Sequence, residues 1–162
     1  MKRIVILILA LAPILILAQG APKLEIDWIP LEKAKKYAKK YDKNILIYFY
    51  KKDCPYCDEM NKETLKDITV VNLINNNFFP VKINSRTKDA INYNGKAYSN
   101  QQPISDGSTW PHDFYREVAK MKNEQTTTPT IVLFNNKFEK ITIFPGKQAK
   151  PLLLRRIKPY VK

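Results

Sequence analysis

The chain has 162 residues, of which 44% are hydrophobic and 27% are charged. This length is enough for one domain with one core and too short for two ordinary domains. Lysine and arginine outnumber aspartate and glutamate by 28 to 15, which gives a formal net charge of +13. Because the lysines are scattered through every segment, they indicate a solvated basic surface; the alternative is attraction to acidic partners or to an anionic membrane surface. No motif of a nucleic-acid-binding module is present, so we expect no nucleic-acid partner.

The start of the chain has the layout of a secretory signal peptide. A short basic segment precedes a run of fourteen apolar residues, 4–17, and small residues, Ala18 and Gly20, stand at the −3 and −1 positions of a cleavage site. We therefore expect residues 1–20 to be removed and residues 21–162 to form one periplasmic or otherwise exported domain. The alternative is an uncleaved membrane anchor, but fourteen apolar residues are short for a span of about twenty.

The first half of the remaining chain alternates between helical and strand patterns. The predicted elements are a helix with Pro30 in its first turn that ends at 42–44, a strand over 45–50, a helix over 57–66, a helical continuation over 70–74 and a strand over 78–84. The first helix would bury Leu31, Ala34, Ala38 and Tyr41 on one face. The run over 45–50 is continuously apolar and predicts a strand buried on both faces of a mixed sheet. The second helix would restart or kink at Asp67 or Thr69.

The second half contains a long segment, about 85–125, whose structure is harder to predict. Its predicted elements are an Asn-Gly hairpin at 93–96, a polar loop over 101–110 and a helix over 111–122 with Phe114, Val118 and Met121 on one face. A strand over 130–134, a two-residue turn at 135–136, a strand over 138–144 and a helix over 148–160 complete the chain. We interpret His112 as a surface residue at a helix start, and Trp28 and Trp110 as packing residues. Because Trp110 lies in the polar loop, it is also a candidate for partner contact.

The chain has only two cysteines, Cys54 and Cys57, which lie between the strand over 45–50 and a predicted helix. The start of a helix carries partial positive charge and free N–H donors, which favour a thiolate. The thiolate is the species that attacks a disulfide. A disulfide that closes a four-residue ring stabilises a fold by only about 2 kcal/mol, against nearly 5 kcal/mol for a hundred-residue loop. The spacing therefore indicates thiol–disulfide chemistry rather than structural stabilisation.

Zinc binding is the main alternative use of a Cys-x-x-Cys pair. A structural zinc site takes four ligands, usually two such pairs or one pair with two histidines. The chain has no third cysteine and a single histidine, His112. We therefore expect no metal and no cofactor other than a redox-active Cys54–Cys57 disulfide.

Several further residues match one known family in order and spacing. They are Trp28 and Ala34, the Cys54-Pro55-Tyr56-Cys57 motif, Glu63-Thr64-Leu65 with Val70, Thr128-Pro129-Thr130, and Gly146. With these residues the chain resembles the thioredoxin-fold proteins over about 28–161, and most closely the exported group that includes SoxW-type proteins and the C-terminal domain of the periplasmic thiol–disulfide interchange transporter. The resemblance implies an α/β thioredoxin fold, a central mixed sheet flanked by helices, with the 85–125 segment inserted before the cis-proline strand. This segment is longer than in a plain thioredoxin, and the alternatives for it are a lid, a docking surface for one partner or a merely decorative insertion.

The resemblance also implies roles for individual residues. Cys54 would be the attacking and more exposed cysteine, and Cys57 would be the resolving cysteine, buried one turn into the helix. Pro55 and Tyr56 would tune the direction of exchange through the donors and dipoles that they set near the Cys54 sulfur.

Two more expectations concern the surroundings of the cysteines. Pro129 would form a cis peptide bond with Thr128 beside the sulfurs and hold the Thr128 backbone ready to pair with an extended substrate. Thioredoxins carry a buried acid six residues before the first cysteine, and here that position is Tyr48. A tyrosine with a pKa near 10 is a poor base at neutral pH. Either water or another carboxylate deprotonates Cys57, or turnover is slow.

The resemblance favours an exported reductase that acts on protein disulfides, with a cytochrome-maturation or sulfur-oxidation client and a membrane electron donor. An oxidase that introduces disulfides is one alternative, although the chain lacks the large helical insertion of dedicated oxidases. A non-catalytic binding module is another, although the intact Cys54–Cys57 motif argues against it. No separate dimerisation domain is present, so we expect a monomer rather than a dimeric isomerase.

Overall fold

The computed structural model describes residues 24–107 and 109–161, so the signal peptide predicted over 1–20 lies outside the described residues. The helices and strands of the described part are α1 (Leu31–Tyr41), β1 (Asn44–Tyr50), α2 (Pro55–Glu63), α3 (Ile68–Asn77), β2 (Phe78–Asn84), β3 (Ile91–Tyr93), β4 (Lys96–Tyr98), α4 (Asp113–Ala119), β5 (Thr130–Phe134), β6 (Lys140–Pro145) and α5 (Lys150–Ile157). None of the helices described there has the length and apolar character that a membrane crossing requires.

The main sheet of the described residues has four strands in the order β2-β1-β5-β6. β1 runs parallel to β2 and antiparallel to β5, and β5 runs antiparallel to β6. The sheet is therefore mixed, and β1 is one of its two interior strands. Residues 44–49 of β1 are all buried, as the continuous apolar run predicted.

Successive residues of β1 point to opposite faces of the sheet and supply two separate cores. Ile45, Ile47 and Phe49 belong to the core under α1 and α4. Leu46 and Tyr48 belong to the core under α2, α3 and α5. Helices thus cover both faces of a mixed sheet, which confirms the predicted α/β fold class with flanking helices.

Local sequence explains where the helices start. Asp67 caps α3, because its carboxylate accepts hydrogen bonds from the backbone N–H groups of Thr69 and Val70 at 2.9 and 3.3 Å. The predicted restart therefore occurs at Asp67 and not at Thr69. In α1 the fully buried residues are Ala34 and Ala38, as expected.

Several element boundaries and one buried position differ from the prediction. α4 ends at Ala119 because the Met121 N–H bonds to the Gln125 carbonyl oxygen, at 2.8 Å, instead of continuing the helix. Met121 is therefore not on the helix face predicted to carry it. α5 is shorter than predicted, and a 3-10 turn that contains Pro159 follows it. Tyr41 is 54% exposed rather than buried.

The connection between β5 and β6 is longer than the predicted two-residue turn. The Asn135 side-chain oxygen accepts hydrogen bonds from the Lys137 and Glu139 backbone N–H groups, both at 2.9 Å. Phe138 adopts a left-handed backbone with φ of 64°. These contacts hold the chain in a loop as far as Glu139, so β6 begins at Lys140 rather than at Phe138.

The segment over 85–125 is part of the core rather than a surface addition. Its β3–β4 hairpin turns at Asn94 and Gly95, which have φ values of 50° and 75°, as the Asn-Gly pair predicted. The Tyr93 ring then packs against Phe114 at 5.4 Å and Phe134 at 5.9 Å between centroids. The insertion therefore contributes side chains to the core on the α1 and α4 face of the sheet.

Candidate active site

The cysteine pair lies where β1 passes into α2. A four-residue link, 51–54, joins the two elements, and Asp53 takes a left-handed backbone with φ of 56° that turns the chain. Cys54 is the N-cap of α2, and Pro55 occupies the first helical turn, where the N–H that proline lacks would have no partner. The sequence thus directs the end of a buried strand onto the start of a helix.

Cys54 and Cys57 form a disulfide, with their Cα atoms 5.2 Å apart. The Cys54 sulfur accepts a hydrogen bond from the Cys57 backbone N–H at 3.3 Å. This N–H belongs to the first turn of α2, so it would stabilise a thiolate at Cys54 after reduction. Cys54 is 3% exposed and Cys57 is 1% exposed, so the order matches the expectation but both residues are buried.

Thr128 and Pro129 lie directly beside the cysteines. The peptide bond between them is cis, and Pro129 is buried. The Cys54 sulfur is 3.7 Å from the Thr128 carbonyl oxygen and 3.8 Å from the Thr128 hydroxyl oxygen. Residues separated by 74 positions in sequence therefore meet at one sulfur, and the structure brings together all six site residues selected from the sequence: Cys54, Pro55, Tyr56, Cys57, Thr128 and Pro129.

Tyr48 occupies the β1 position where thioredoxins carry a buried acid. Its hydroxyl donates a long hydrogen bond, 3.4 Å, to the Cys57 carbonyl oxygen. Burial, with a smaller contribution from the charge of Asp58, raises the pKa of Tyr48 well above its ordinary value. Tyr48 is therefore neutral at physiological pH and cannot accept a proton from Cys57.

Aromatic rings and one ammonium group surround Tyr48. The Trp28 ring stacks on Tyr48 at 5.9 Å between centroids, and the Tyr50 ring also stacks on Tyr48, at 6.2 Å. The Lys82 ammonium lies 4.8 Å from the Tyr50 centroid and 5.9 Å from that of Tyr48. Trp28 is thus a packing residue, as expected, and it holds the Tyr48 ring in the core.

A cleft of about 400 Å³ opens beside the cysteine pair. Its walls include Lys51, Tyr56, Ser85, Arg86, Tyr115 and Thr128. Arg86 is not among the site residues predicted from the sequence, although its position directly after β2 could have indicated it. Because β1 and β2 are parallel and Tyr50 is in register with Asn84, the residues that follow both strands emerge at the same edge of the sheet.

His112 is buried, and its interpretation as a surface residue was wrong. It is 1% exposed, and its Nδ1 accepts a hydrogen bond from the Phe114 backbone N–H at 3.0 Å. Its Nε2 donates to the Asp89 carbonyl oxygen at 3.0 Å. Because Nδ1 accepts while Nε2 donates, the ring is the neutral imidazole with its proton on Nε2. Burial lowers the pKa of His112. His112 thus caps α4 and ties it to the loop after β2.

The other two predictions concern Trp110 and metal binding. Trp110 is 49% exposed, and the Arg116 guanidinium lies 5.9 Å from its ring centroid, so its role in partner contact stays a prediction. Within residues 24–107 and 109–161, no group of three or more His, Cys, Asp or Glu side chains is placed to hold a metal ion.

Solved structures share the fold of this chain, although no curated protein sequence matches it. The structure of a DsbH oxidoreductase matches with a TM-score of 0.59 and 14% sequence identity, and the match covers 86% of each chain. A thioredoxin from Thermus thermophilus has a TM-score of 0.58 and 20% identity, covering 83% of this chain and 86% of the other. A disulphide isomerase from Xylella fastidiosa Temecula1 has a TM-score of 0.53 and 15% identity, covering 85% and 98%. At these identities the likeness shows the fold alone.

A mixed sheet between helices, with a Cys-x-x-Cys disulfide at the start of the helix after an interior strand, defines a thiol–disulfide oxidoreductase of the thioredoxin type. The sequence model of the thioredoxin-like domain matches residues 31–158, which is most of the chain. The chain therefore belongs to the thioredoxin-like domain family, and the superfamily assignment made from the sequence is confirmed.

Proposed function

We propose that the chain is an exported reductase of protein disulfides, in which Cys54 attacks and Cys57 resolves. The observation that carries this proposal is the position of the Cys54 sulfur. It accepts the Cys57 N–H at 3.3 Å and lies within 4 Å of the Thr128 carbonyl and hydroxyl oxygens. A sulfur at a helix start is activated as a thiolate, and one beside a cleft can meet a substrate.

The proposed reaction has two exchange steps. The Cys54 thiolate attacks one sulfur of the substrate disulfide, that S–S bond breaks, and a mixed disulfide with Cys54 forms. Cys57, once deprotonated, attacks the Cys54 sulfur, so the mixed disulfide breaks and the Cys54–Cys57 disulfide forms. Both substrate sulfurs leave as thiolates and take up two protons. The substrate gains two electrons, which the dithiol of a membrane donor restores to Cys54 and Cys57.

Thr128 and Pro129 are proposed to position the substrate, with Pro55 and Tyr56 supporting the exchange. The Thr128 carbonyl oxygen lies next to the Cys54 sulfur, so a substrate strand that pairs with this backbone would present its own sulfur at Cys54. Tyr56 is 63% exposed, follows Cys54 by two residues and is available for contact with the same strand.

The structure of the 85–125 segment favours reduction over oxidation. Dedicated oxidases of the fold carry a large helical insertion, whereas the described part of this segment contains the β3–β4 hairpin, a 3-10 turn at Ile104–Asp106 and the seven-residue α4. The first experiment is an equilibrium titration of the Cys54–Cys57 pair against dithiothreitol and glutathione buffers. A reduction potential near or below about −250 mV supports a reductase, and one above about −180 mV contradicts it.

Export is the second part of the proposal and needs its own test. The apolar run over 4–17 and the small residues before Ala21 support cleavage of a signal peptide. The full chain would be expressed in a Gram-negative host, and the N-terminus of the protein in the periplasmic fraction would be sequenced. A mature chain that begins at Ala21 supports export with cleavage, whereas a membrane-bound chain that begins at Met1 contradicts it.

A further inference from the structure

The cleft beside Cys54 has a chemical character that the exchange reaction alone does not require. Two of its lining side chains, Lys51 and Arg86, are cationic, and no acidic residue is among the described residues that line it. Neither Lys51 nor Arg86 forms an ion pair within residues 24–107 and 109–161. Both charges are therefore available to a molecule that enters the cleft.

None of the acidic residues near the cysteines lines this cleft. Glu59 and Glu63 of α2 both bind the Lys147 ammonium, at 2.5 and 3.4 Å. These contacts direct the two carboxylates toward the loop before α5. Asp53 and Asp58 flank the cysteine pair in sequence but do not line the cleft.

The wall that carries Arg86 is held by several hydrogen bonds. The Ser85 N–H donates to the Tyr50 carbonyl oxygen at 2.7 Å, and the Ser85 carbonyl oxygen accepts the His112 N–H at 2.8 Å. The Tyr115 hydroxyl donates to the Thr127 carbonyl oxygen at 2.7 Å, which fixes the segment that leads to Thr128. These contacts fix the backbone next to Arg86 and next to Thr128, on the side of the cleft that the insertion forms.

From this geometry we propose that Lys51 and Arg86 make the enzyme selective for disulfides whose cysteine has acidic residues beside it. The proposal rests on the proposed function, because the acidic segment is that of a substrate in exchange with Cys54. A carboxylate near the substrate sulfur would pair with the guanidinium of Arg86 or the ammonium of Lys51 in a half-buried cleft. Lys51 and Arg86 are thus specificity-determining residues for a substrate that is an extended acidic peptide.

The test uses two peptide disulfides that differ only in charge. Each peptide carries one cysteine linked to the same small thiol and flanked by two glutamates in one peptide and by two glutamines in the other. The second-order rate constants for reduction by the fully reduced protein are measured at low and high ionic strength. Each ratio of rates is divided by the ratio obtained with dithiothreitol, since a flanking carboxylate also changes the reactivity of the peptide's own sulfur.

We expect the protein to reduce the acidic peptide about fivefold faster than the neutral one at low salt, with a smaller preference at high salt. The double variant Lys51→Gln/Arg86→Gln should bring the corrected ratio close to one. Because both rates are measured with the same variant, a change in the reactivity of Cys54 cancels in the ratio. The matched control is Lys39→Gln/Lys40→Gln, which removes the same charge at the end of α1 before the start of β1, about 20 Å from Cys54 along the strand.

The outcomes separate this proposal from the proposed function. Equal, measurable rates with both peptides overturn the selectivity and leave the reductase in place. A preference that survives the Lys51/Arg86 double variant, or that falls equally in the Lys39/Lys40 control, also overturns it, because net charge or another surface would then be responsible. Failure to reduce either peptide contradicts the proposed function itself and the selectivity with it.

Discussion

The two walls of the site are built in different ways. The wall that carries Cys54 and Cys57 comes from a continuous stretch of chain, where β1 runs into α2. The opposite wall combines Arg86, Tyr115 and Thr128, which are brought together by contacts between distant segments. The first wall supplies the sulfurs and one cationic side chain, Lys51, and the second supplies the other cation, Arg86, and the Thr128 backbone. This difference predicts that changes at the two cysteines affect chemistry and that changes in the attachment of the second wall affect stability.

The largest expected effect is on exchange activity. Cys54→Ser should lower disulfide reduction about a thousandfold or more, because the attacking sulfur is lost. Cys57→Ser should instead accumulate a mixed disulfide between Cys54 and the substrate, since the resolving step is lost. Mass spectrometry of each variant after reaction with a peptide disulfide would distinguish them. Trapping through Cys57 in the Cys54→Ser variant would reverse the assigned roles.

These cysteine variants should leave the fold largely intact. A disulfide that closes four residues contributes only about 2 kcal/mol in the chain-entropy estimate. The free energy of unfolding of the two serine variants, measured in urea, should therefore be similar and about 2 kcal/mol below that of the oxidised protein. A collapse of stability in either variant would show that the cysteines of the first wall also hold the fold together, contrary to the difference between the two walls.

The next effect concerns the second wall and its attachment to the core. Phe114 of α4 is fully buried, and its ring packs against those of Phe49 and Tyr93, at 6.0 and 5.4 Å between ring centroids. Phe114→Ala should lower the free energy of unfolding by about 3–5 kcal/mol, as for other buried aromatic truncations. Ile104→Ala is the control, because Ile104 is 85% exposed and its loss should change stability by less than about 0.5 kcal/mol.

If Phe114→Ala still folds, hydrogen exchange can show whether residues 85–125 open together with the main sheet or separately from it. An insertion that is part of the core should transmit the loss to β1 and β5, so their amide protection should fall together with that of α4. Loss of protection confined to residues 85–125 would show that the insertion opens independently of the sheet. Phe114→Leu, with a smaller change in volume, provides the same readout if the alanine variant does not fold.

The sequence predicted the first wall well because its determinants are local. The apolar run of β1, the Cys54–Cys57 spacing and Pro55 at the start of α2 each act within a few residues of themselves. The second wall depends on contacts that no local pattern contains. Arg86 reaches the site only because β2 is parallel to β1, a pairing between segments more than thirty residues apart.

The errors in the prediction have the same physical origin. His112 carries no local sign of burial, since the Asp89 carbonyl oxygen that binds it comes from the loop after β2. Met121 continues a helical pattern in sequence, but its N–H bonds to Gln125 and the helix ends earlier. Phe138 fits a strand pattern, but the Asn135 side chain binds the backbone on both sides of it. Turn and cap contacts of this kind override periodicity.

A smaller effect should appear in the dependence of stability on pH. Burial lowers the pKa of His112, so the unfolded chain takes up a proton before the folded chain does as the pH falls. The stabilisation from neutral His112 is complete above the unfolded pKa of about 6.5, and it declines as the pH drops below that value until the folded pKa is reached.

Urea titrations between pH 7.5 and pH 5 would measure this decline. His112 is the only histidine of the chain, so its contribution can be isolated by comparison with His112→Gln. The variant should be less stable at pH 7.5 and should depend less on pH across this window. Parallel pH profiles for the two proteins would mean that another group dominates, and His112 would then be a neutral cap without a pH-dependent role.

The smallest expected effect is at Tyr48, on the first wall. Tyr48→Phe removes only the 3.4 Å hydrogen bond to the Cys57 carbonyl oxygen, and the aromatic ring keeps its stacking on Trp28. Because burial raises the pKa of Tyr48, its hydroxyl is neutral and does not take the proton of Cys57. Turnover and its pH profile should therefore change less than about threefold, with a loss of stability near 1 kcal/mol. A tenfold fall in the rate of mixed-disulfide resolution, measured by stopped flow, would instead show that Tyr48 relays the proton of Cys57.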